Sequence, residues 1–558
     1  MTAYFAHESE DVVPVTVDGE PVEAVAGQTV AGVMLARGQE AWRMTRGNGR
    51  PRGVFCGIGA CYDCLVVVNG VSDVRACQRT VSAGDEIRSQ AGAVLPRGGA
   101  GGSAGESLTA DVVVVGAGPA GMAAALAAAD GGASVVLVDA GRAVGGQFYR
   151  QAAPEFGVRR KSFSGERVLS HELITYLPES SVWAVEGLRV WVQRGPADAA
   201  GRSVLAVDGQ ALVLATGAYD RVLPFPGWDL PGVYTAGAAQ ALAKGQRIAV
   251  GRRVVVAGTG PFLLPVAESL VGVGASVVGL FEANRLSTVL RGWAPDALVA
   301  VGKVWELAGY ASTLARHRVP LRHGWTVVEA HGTDRVEAVT VVRLDSGWKP
   351  VVGSERRIEC DAVCVGFGFT PQLELAVAAG CELTDDGLAV VVDGSQETST
   401  PGVYAAGEMT GIGGAALSAA EGEIAGAAAA RHAGAARNES AQEALTAGLR
   451  DKRLARLRRF AGALARAYPV RDGWRSWSTG ETIVCRCEEV RRGEVEAVAE
   501  CGVAGRASRL SSRAGLGLCQ GRVCSRNVAE LLGEKTSMKR PIAVPVRLGD
   551  LAEAEETL

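Results

Sequence analysis

The feature that most constrains the fold is a strand–turn–helix segment at residues 111–140, DVVVVGAGPAGMAAALAAADGGASVVLVDA. Its Gly116, Gly118 and Gly121 lie between a Val-rich strand and an Ala-rich helix, and Asp139 closes the next strand, 23 residues after Gly116. This context predicts a Rossmann dinucleotide site, in which the three glycines allow the tight turn, the approach of the pyrophosphate and the close packing of helix on sheet. The helix N-terminus would face the phosphates, and Asp139 would accept hydrogen bonds from a ribose.

The same region contains an uncharged run at 112–129, whose 18 residues approach the length that spans a bilayer. A continuous helix through its three Gly and one Pro would lose about 6 kcal/mol, at ~1 kcal/mol per Gly and ~3 kcal/mol for Pro. We therefore expect a strand, a turn and a helix in a soluble protein. Lys+Arg number 57 and Asp+Glu 60, a formal net charge of −3, so no global field would draw the chain to nucleic acid or to an anionic membrane.

Three later motifs, GRAVGGQFYR, LVLATGAYDR and GVYAAGEMTGIGG, accompany the first turn. Their candidate cofactor-binding residues are Gly145, Gly146, Gln147, Thr216, Gly217, Gly407 and Glu408. With these motifs the sequence resembles the two-dinucleotide-binding flavoprotein family, which includes glutathione and thioredoxin reductases. The resemblance implies that they bind FAD and that the Gly407–Glu408 pair lies along the ribityl–pyrophosphate, although most members have Asp where this chain has Glu408.

A second strand–GxG–helix segment, RRVVVAGTGPFLLPVAESL, contains Gly258 and Gly260, and Glu282 ends its next strand. The third glycine position is occupied by Leu263, which should hold the helix away from the sheet. Two interpretations stay open at this point: a second nucleotide, ATP or NAD, or a vestigial or adenine-only site.

The first group of cysteines has the spacing C-x4-C-x2-C followed by a distant fourth Cys, which is typical of a plant-type [2Fe–2S] cluster. Gly57 and Gly59 lie inside this loop and permit backbone conformations that direct amides at the sulfurs. Zinc and buried structural thiols are the alternatives, but zinc sites are usually built from two CxxC-like pairs. The predicted ligands are Cys56, Cys61, Cys64 and Cys77.

The second group has the spacing C-x-C…C-x4-C and resembles the [2Fe–2S] domain of the bacterioferritin-associated ferredoxin type. In that type the second pair is usually CxxC, so the x4 spacing is a departure, and zinc or free thiols remain alternatives. Nearby Arg486, Arg513 and Arg522 would offset the negative charge of an iron–sulfur–thiolate centre. The predicted ligands are Cys485, Cys487, Cys519 and Cys524.

No catalytic residues can be assigned from the sequence. The six His residues are scattered, and no pair of nucleophile and base can be recognised among them. Cys360, Cys364 and Cys381 stand apart from both groups and are interpreted as small buried apolar residues.

The alternation of Val-rich strands and Ala-rich helices after residue 110 predicts parallel sheets. The expected fold is α/β: a two-dinucleotide-binding, Rossmann-type flavoprotein flanked by an N-terminal β-grasp-like ferredoxin domain and a small C-terminal helical [2Fe–2S] domain. The predicted units are a ferredoxin-like domain (1–96), a flexible linker (97–109), the first part of the FAD domain (110–245), a second dinucleotide-binding-like domain (246–354), the return of the FAD domain (355–435), a helical linker (436–477), the C-terminal [2Fe–2S] domain (478–545) and an acidic tail (546–558).

This order of motifs resembles the α subunit of the multimeric FAD-dependent amine and amino-acid dehydrogenases, with GGQFYR and CQGRVC as the most specific patches. That group includes hydrogen cyanide synthase, opine oxidases, D-hydroxyproline dehydrogenase and L-proline dehydrogenase. The resemblance implies a partner β subunit, similar to D-amino-acid oxidase, that carries its own flavin and oxidises the substrate. This chain would then pass the electrons through FAD and two [2Fe–2S] centres to a quinone or a carrier protein.

Two other functions remain open from the sequence. The chain could be a self-contained NAD(P)H-dependent reductase that uses the Gly258 site, or a non-catalytic scaffold subunit. The start of the chain, MTAYFAHESEDVVPV, is acidic and lacks an apolar core, which predicts a cytoplasmic protein or one peripheral to the inner face of the membrane.

Overall fold

A computed structural model describes residues 11–93, 107–156, 164–435, 449–535 and 542–552. The predicted linker at 97–109 lies largely outside these ranges, as does the end of the predicted acidic tail. The described residues build a ferredoxin-like unit, two Rossmann-type units and a small cysteine-containing unit near the C-terminus.

The N-terminal unit is a mixed sheet with one buried helix, Val30–Ala36, which starts where the Thr29 hydroxyl accepts a hydrogen bond from the Gly32 N–H. Strands Val12–Val17 and Glu86–Arg88 pair in parallel at the centre of the sheet, as in a β-grasp arrangement. In spatial order the strands are Glu20–Val25, Val12–Val17, Glu86–Arg88, Leu65–Val68 and Val71–Arg75, beside a second small sheet of Pro51–Arg52, Arg43–Met44 and Gln90–Ala91.

The first Rossmann unit begins with the strand Leu108–Val115, which leads through the glycine turn into the helix Pro119–Asp130, as the sequence predicts. The return helix Ala415–His432 packs against that helix at close range. A Cβ added at Gly422 would lie 2.0 Å from the Ala120 carbonyl oxygen, so only glycine allows this approach. The sheet order is Ile174–Leu177, Val135–Val138, Leu108–Val115, Ser203–Leu214, Arg189–Arg194 and Ser180–Glu186, with Val403–Ala405 also paired to Ser203–Leu214.

The second Rossmann unit has a parallel sheet, in the order Val233–Thr235, Ala362–Gly366, Arg253–Gly258, Ser276–Glu282 and Leu321–His323. Its first two strands come from outside the predicted range 246–354. An antiparallel sheet of Trp325–His331, Ala338–Arg343 and Arg356–Glu359 covers it. Strands Ala218–Asp220 and Phe369–Pro371 pair with each other between the two Rossmann units. The helices of this unit and its surroundings are Ala236–Ala241, Leu263–Val271, Leu286–Trp293, Val304–Arg316 and Glu374–Ala378.

The C-terminal part begins with the helix Ala455–Ala467, which packs on the helix Leu286–Trp293 of the second Rossmann unit. The cysteine-containing unit follows, with strands Ile483–Cys485 and Val490–Arg491 and helices Arg492–Glu500, Gly505–Ser512 and Ser525–Leu532. The last helix, Leu548–Ala552, lies in the predicted tail, and its buried Asp550 accepts a hydrogen bond from Gln193 of the first Rossmann unit.

Among the described residues, no helix combines the length and the apolar character that a membrane crossing requires. The uncharged run at 112–129 is divided between the strand Leu108–Val115 and the helix Pro119–Asp130, in agreement with the interpretation of its glycines and proline.

Candidate functional site: a flavin cradle and two cysteine groups

The glycine turn after the first strand has the geometry of a phosphate-binding cradle. A Cβ added at Gly116 would lie 2.4 Å from the Ala215 carbonyl oxygen, and one at Gly121 only 1.7 Å from the Gly116 carbonyl oxygen, so both positions are closed by the chain itself. At Gly118, in contrast, a Cβ would meet no protein atom within 4 Å. The open side of the turn is therefore at Gly118, at the N-terminus of the helix, where the free amides favour an anion.

The other flavin motifs converge on this turn from distant parts of the chain. A Cβ at Gly146 would lie 2.9 Å from Gly118 Cα, and a Cβ at Gly407 would lie 2.9 Å from Ala120 Cβ. Thr216 follows Ala215, which contacts Gly116, and Gly217 has φ +78° with open space beside it. The residue set that the sequence motifs select is thus gathered around one concave site, and its open glycines fit a bound dinucleotide.

Asp139 lies beside the turn with its carboxylate already bound to the backbone. One oxygen accepts a hydrogen bond from the Ala117 N–H and the other from the Gly141 N–H, each at 2.6 Å. Burial raises the pKa of Asp139, and these two donors oppose the rise. Each oxygen keeps a free lone pair, so the side chain can still accept hydrogen bonds from a ribose.

Two predicted flavin residues are engaged by their own loops. Glu408 accepts a hydrogen bond from the Gly414 N–H at 2.8 Å, and burial raises its pKa. Gln147 is exposed, and its side-chain oxygen accepts from the Arg150 guanidinium at 3.2 Å. These hydrogen bonds commit both side chains to neighbours in their own loops.

The sequence alone did not reveal the buried Glu421, which sits beneath the Gly407–Thr410 turn. Its carboxylate accepts hydrogen bonds from the Gly407 N–H at 3.1 Å and the Thr410 hydroxyl at 2.8 Å. It lies within the Ala-rich helix, where a single Glu resembles an ordinary helix former. Only the packing of that helix on the cradle shows that Glu421 fixes the late glycine turn.

The second Rossmann turn combines an open and a closed part. Gly260 has open space beside it, whereas a Cβ at Gly258 would lie 1.7 Å from the Gly366 carbonyl oxygen. Glu282 is only 4% exposed, and its carboxylate accepts hydrogen bonds from the Thr259 hydroxyl, the Gly260 N–H and the Asn284 N–H. Burial raises the pKa of Glu282 to about 7.

The segment after the helix Ala455–Ala467 covers this acidic residue. The Pro469 carbonyl oxygen accepts a hydrogen bond from the Asn284 side chain at 3.2 Å. Burial, helped by the charge of Glu282, raises the pKa of Tyr468. A Cβ at Gly292 would lie 2.3 Å from Ala467 Cα, so the covering segment is tightly packed. The ribose side of the second site is thus more enclosed than that of the first, where Asp139 remains half-buried.

Cys56, Cys61 and Cys64 lie in the loop before the strand Leu65–Val68, and Cys77 follows the strand Val71–Arg75. All four residues are at most 7% exposed. Gly57 and Gly59 have φ of +63° and +77°, and beyond them the N–H groups of Ala60 and Cys61 both donate to Cys56 Sγ at 3.3 Å. Burial opposes ionisation, but hydrogen bonds from Cys61 and Cys77 and from the loop amides hold the pKa of Cys56 well below its usual range. Such a donor set fits thiolates bound to an iron–sulfur cluster.

The C-terminal cysteines also lie side by side. The Sγ atoms of Cys485 and Cys487 are 3.8 Å apart, and those of Cys487 and Cys519 are 3.6 Å apart. Hydrogen bonds from Cys487 and Cys524 hold the pKa of Cys485 well below its usual range. A Cβ at Gly517 would lie 2.4 Å from Cys487 Sγ, so this position must be glycine for the segment to approach the cysteine.

Within the described ranges, no three His, Cys, Asp or Glu side chains are arranged to hold a single metal ion. A [2Fe–2S] cluster distributes four thiolates between two irons and does not need such an arrangement. Both groups of thiols therefore fit the cluster chemistry by their burial, their mutual contacts and their amide donors.

Two arginines link the flavin cradle to the cysteine loops. The charge of Arg150, from the GGQFYR motif, interacts with both Asp139 and Cys77. Arg522 lies between Cys519 and Cys524 in the sequence. It forms an ion pair with the buried Glu374 at 2.8 Å, and only 7% of the Arg522 side chain is exposed. The first contact brings the cradle near the N-terminal cysteines, and the second attaches the C-terminal cysteine segment to the helix Glu374–Ala378 of the flavoprotein part.

The comparison with protein families agrees with this architecture. Residues 110–434 match the pyridine nucleotide-disulphide oxidoreductase family, and residues 10–92 match the 2Fe-2S iron-sulfur cluster binding domain. The chain belongs to this oxidoreductase family and is a flavin-dependent oxidoreductase with an N-terminal [2Fe–2S] domain, which confirms the predicted fold class.

Similar proteins define a narrower group. The chain is 32% identical to the HcnB subunit of hydrogen cyanide synthase from Pseudomonas protegens, over 77% of this chain and 94% of that protein. It is also 32% identical to a subunit of opine oxidase from Rhizobium meliloti, over 80% of this chain and 88% of that protein. The L-proline dehydrogenase structure from P. horikoshii shares the fold, with a TM-score of 0.67, 20% identity and coverage of 98% of this chain and 99% of that chain. The predicted family is therefore confirmed.

Proposed function

We propose that this chain is the electron-transfer component of a heteromeric dehydrogenase of amino acids or amines, of the proline, hydroxyproline or opine type. The observation that carries the proposal is that the similar proteins from Pseudomonas and Rhizobium named above are subunits, matched over 88–94% of their own length. A β subunit resembling D-amino-acid oxidase, with its own flavin, would hold the substrate. A quinone or a carrier protein would accept the electrons.

The placement of the predicted cofactor sites supports this role. FAD, when bound, accepts two electrons together from a hydride donor and releases them one at a time. It can therefore couple such a donor to iron–sulfur centres, which carry one electron each. Arg150 feels the charges of both Asp139 at the cradle and Cys77 of the N-terminal cysteine group, so these two sites lie near each other. Such proximity would shorten the path from a two-electron site to a one-electron site.

The polar side chains next to the cradle support a substrate site on another polypeptide. The Tyr219 hydroxyl donates to Glu374, and Arg522 pairs with the same carboxylate at 2.8 Å. Burial and the charge of Glu374 raise the pKa of Tyr219 well above its usual range. These three groups are committed to one another and to the C-terminal loop, which leaves none of them to orient or deprotonate an amine.

The enclosed second Rossmann site argues against the alternative of a self-contained NAD(P)H reductase. Glu282 would have to release or share its three hydrogen bonds to bind a ribose, and Pro469 would have to move from Asn284. We therefore expect NADH to leave the flavin of the isolated chain oxidised. Bleaching of the flavin by NADH would support the reductase function instead.

The proposal is tested by reconstitution. The isolated chain, loaded with its cofactors, should fail to oxidise proline, hydroxyproline or opines with an artificial acceptor, and activity should appear when the product of an adjacent D-amino-acid-oxidase-like reading frame is added. Cys61→Ser should then slow transfer to the acceptor more than it slows reduction of the β-subunit flavin, as stopped-flow and steady-state rates would show. Turnover of an amine by the isolated chain would place the active site here and refute the proposal.

A further inference from the structure

The two cysteine loops stand near opposite ends of the sequence but touch each other in the fold. Tyr62 and Leu65 from the N-terminal loop form an apolar cluster with Cys519 from the C-terminal loop, and Cys487 packs beside it. One ligand of the second group is thus in contact with residues that lie between and beside ligands of the first.

A single guanidinium joins the loops at this contact. Arg486 stands between Cys485 and Cys487, and its Nε donates to Asp63 Oδ2 at 2.8 Å. Asp63 in turn stands between Cys61 and Cys64. Both side chains are at most 5% exposed, so this ion pair is shielded from solvent and salt.

The same guanidinium is held by aromatic rings. It lies 3.9 Å from the centroid of Phe55, the residue before Cys56, and 5.1 Å from that of Trp228 in the flavoprotein part. Trp228 donates its indole N–H to the Ile483 carbonyl oxygen at 2.6 Å. Arg486 therefore contacts residues directly adjacent to Cys56 and to Cys64, while its own chain neighbours are two of the C-terminal cysteines.

A balanced set of charges surrounds this bridge. Glu489 accepts hydrogen bonds from the Thr45 hydroxyl and the Asn48 N–H, both at 2.8 Å, and a Cβ at Gly47 would lie 2.7 Å from its carboxylate. Three cationic and three anionic side chains from the ferredoxin-like, flavoprotein and C-terminal units meet here. They are Arg50, Arg52, Arg486, Asp63, Asp229 and Glu489.

Apart from Arg50, these side chains are at most 9% exposed, and burying so many charges costs desolvation energy. Their presence therefore calls for a function beyond stability. Because the guanidinium is planar and makes contacts on several sides, it sets both distance and orientation.

We propose that Arg486 is a positioning residue that locks the two cysteine loops into one electron-transfer unit, so that the centres held by the two loops exchange single electrons directly. In each exchange one centre loses an electron and the other gains it, and no proton or further reactant is needed. The inference rests on the proposed function, in particular on the assignment of a [2Fe–2S] centre to each loop. In this arrangement the electrons leave the flavin along one path through both centres instead of along two separate paths.

The test compares the cofactor-loaded full chain with Arg486→Gln, Asp63→Asn and a control, Arg491→Gln. Arg491 pairs with Glu481 at 2.7 Å on the surface of the same C-terminal unit, and the two side chains are 47% and 81% exposed. Iron and acid-labile sulfide are measured first, and EPR spectra of the fully reduced protein are then recorded over a range of microwave powers. Cys61→Ser provides the spectrum of the C-terminal centre alone.

In the wild-type chain and in Arg491→Gln, we expect four irons and broadened, fast-relaxing EPR signals. Their spectra should differ from the Cys61→Ser spectrum by more than the signal of the missing centre. In Arg486→Gln and Asp63→Asn, we expect four irons with loss of this magnetic interaction. Arg486→Lys keeps the charge opposite Asp63 but not the planar contacts with Phe55 and Trp228, so it should retain only part of the magnetic interaction.

Three results separate failure of this inference from failure of the proposed function. Four irons with two non-interacting signals in the wild-type chain would overturn the single path through both centres and leave the electron-transfer role intact. Retention of the interaction in both Arg486→Gln and Asp63→Asn would overturn the role of Arg486. Only two irons in the wild-type chain would remove the second centre and with it this inference. If Arg486→Gln does not accumulate, Asp63→Asn decides, because it changes one charge with little change in shape.

Discussion

Two neighbouring glycines of the flavin turn should respond oppositely to the same substitution, because one faces the chain and the other faces open space. Gly118 has φ −74° and ψ −173°, which any residue can adopt, and no protein atom lies within 4 Å of an added Cβ. At Gly121 the added Cβ would lie 1.7 Å from the Gly116 carbonyl oxygen. We therefore expect Gly118→Ala to affect the cofactor and Gly121→Ala to affect the fold.

The magnitudes follow from these environments. For Gly118→Ala, the smaller entropy of the unfolded chain stabilises the apoprotein by about 0.4–1 kcal/mol. The loss of glycine at a helix N-cap costs roughly 0.5–1 kcal/mol, so the two effects nearly cancel. For Gly121→Ala, overpacking against the backbone costs about 1–3 kcal/mol. If a methyl group at Gly118 weakens the binding of FAD by about 1–3 kcal/mol through the same kind of overlap, the dissociation constant of FAD rises roughly 5- to 150-fold.

Urea unfolding of the flavin-free protein measures the change in the free energy of unfolding, and titration with FAD measures the change in the dissociation constant of FAD. Gly118→Val, with a larger side chain, should exclude FAD, and the purified variant should release no FAD on denaturation while it keeps the visible absorption of its iron–sulfur centres. Gly217→Ala is an unsuitable control because Gly217 has φ +78°. The reasoning would be refuted if Gly118→Val retained stoichiometric FAD, or if Gly118→Ala destabilised the apoprotein as much as Gly121→Ala.

The other predictions concern clusters, charge and packing. Cys61→Ser should lower the iron content from four to two per chain and remove one EPR signal; zinc in the C-terminal unit would contradict the second centre. The raised pKa of Glu282, about 7, means that its contribution to stability is present below its usual pKa and is lost as pH rises through 7. Glu282→Gln should therefore flatten the dependence of the urea midpoint on pH between about 4.5 and 7, and an unchanged slope would contradict it. Gly422→Ala should destabilise the apoprotein by about 1–3 kcal/mol through its contact with Ala120, measured by urea unfolding, whereas Gly309→Ala, with no atom within 4 Å of the added Cβ, should not.

The sequence was informative where chemistry requires a residue type at a fixed spacing. The turn at Gly116–Gly121, the N-terminal [2Fe–2S] domain and the family could all be predicted, because a missing Cβ or a thiol at one position has few substitutes. The predicted strand, turn and helix at 108–130 appear in the fold.

Contacts between distant segments could not be predicted in this way. The sequence shows Arg486 only as one of several arginines near cysteines, and nothing local to Asp63 indicates that the two side chains meet. The covering of Glu282 by Tyr468 and Pro469 likewise depends on how a helix packs on another unit. Such pairings follow from the tertiary arrangement, which no periodic pattern encodes.

The junction between the cysteine loops has a consequence for synthesis of the protein. Asp63 and Arg486 are 423 residues apart, so the ribosome makes one partner long before the other. At about 5–20 residues per second, this interval is roughly 20–85 s. During that time the nascent N-terminal loop lacks its cover, and its thiols are open to the machinery that delivers iron and sulfide. Arrival of the C-terminal segment then closes the loop, so maturation of the first centre is expected to precede completion of the chain.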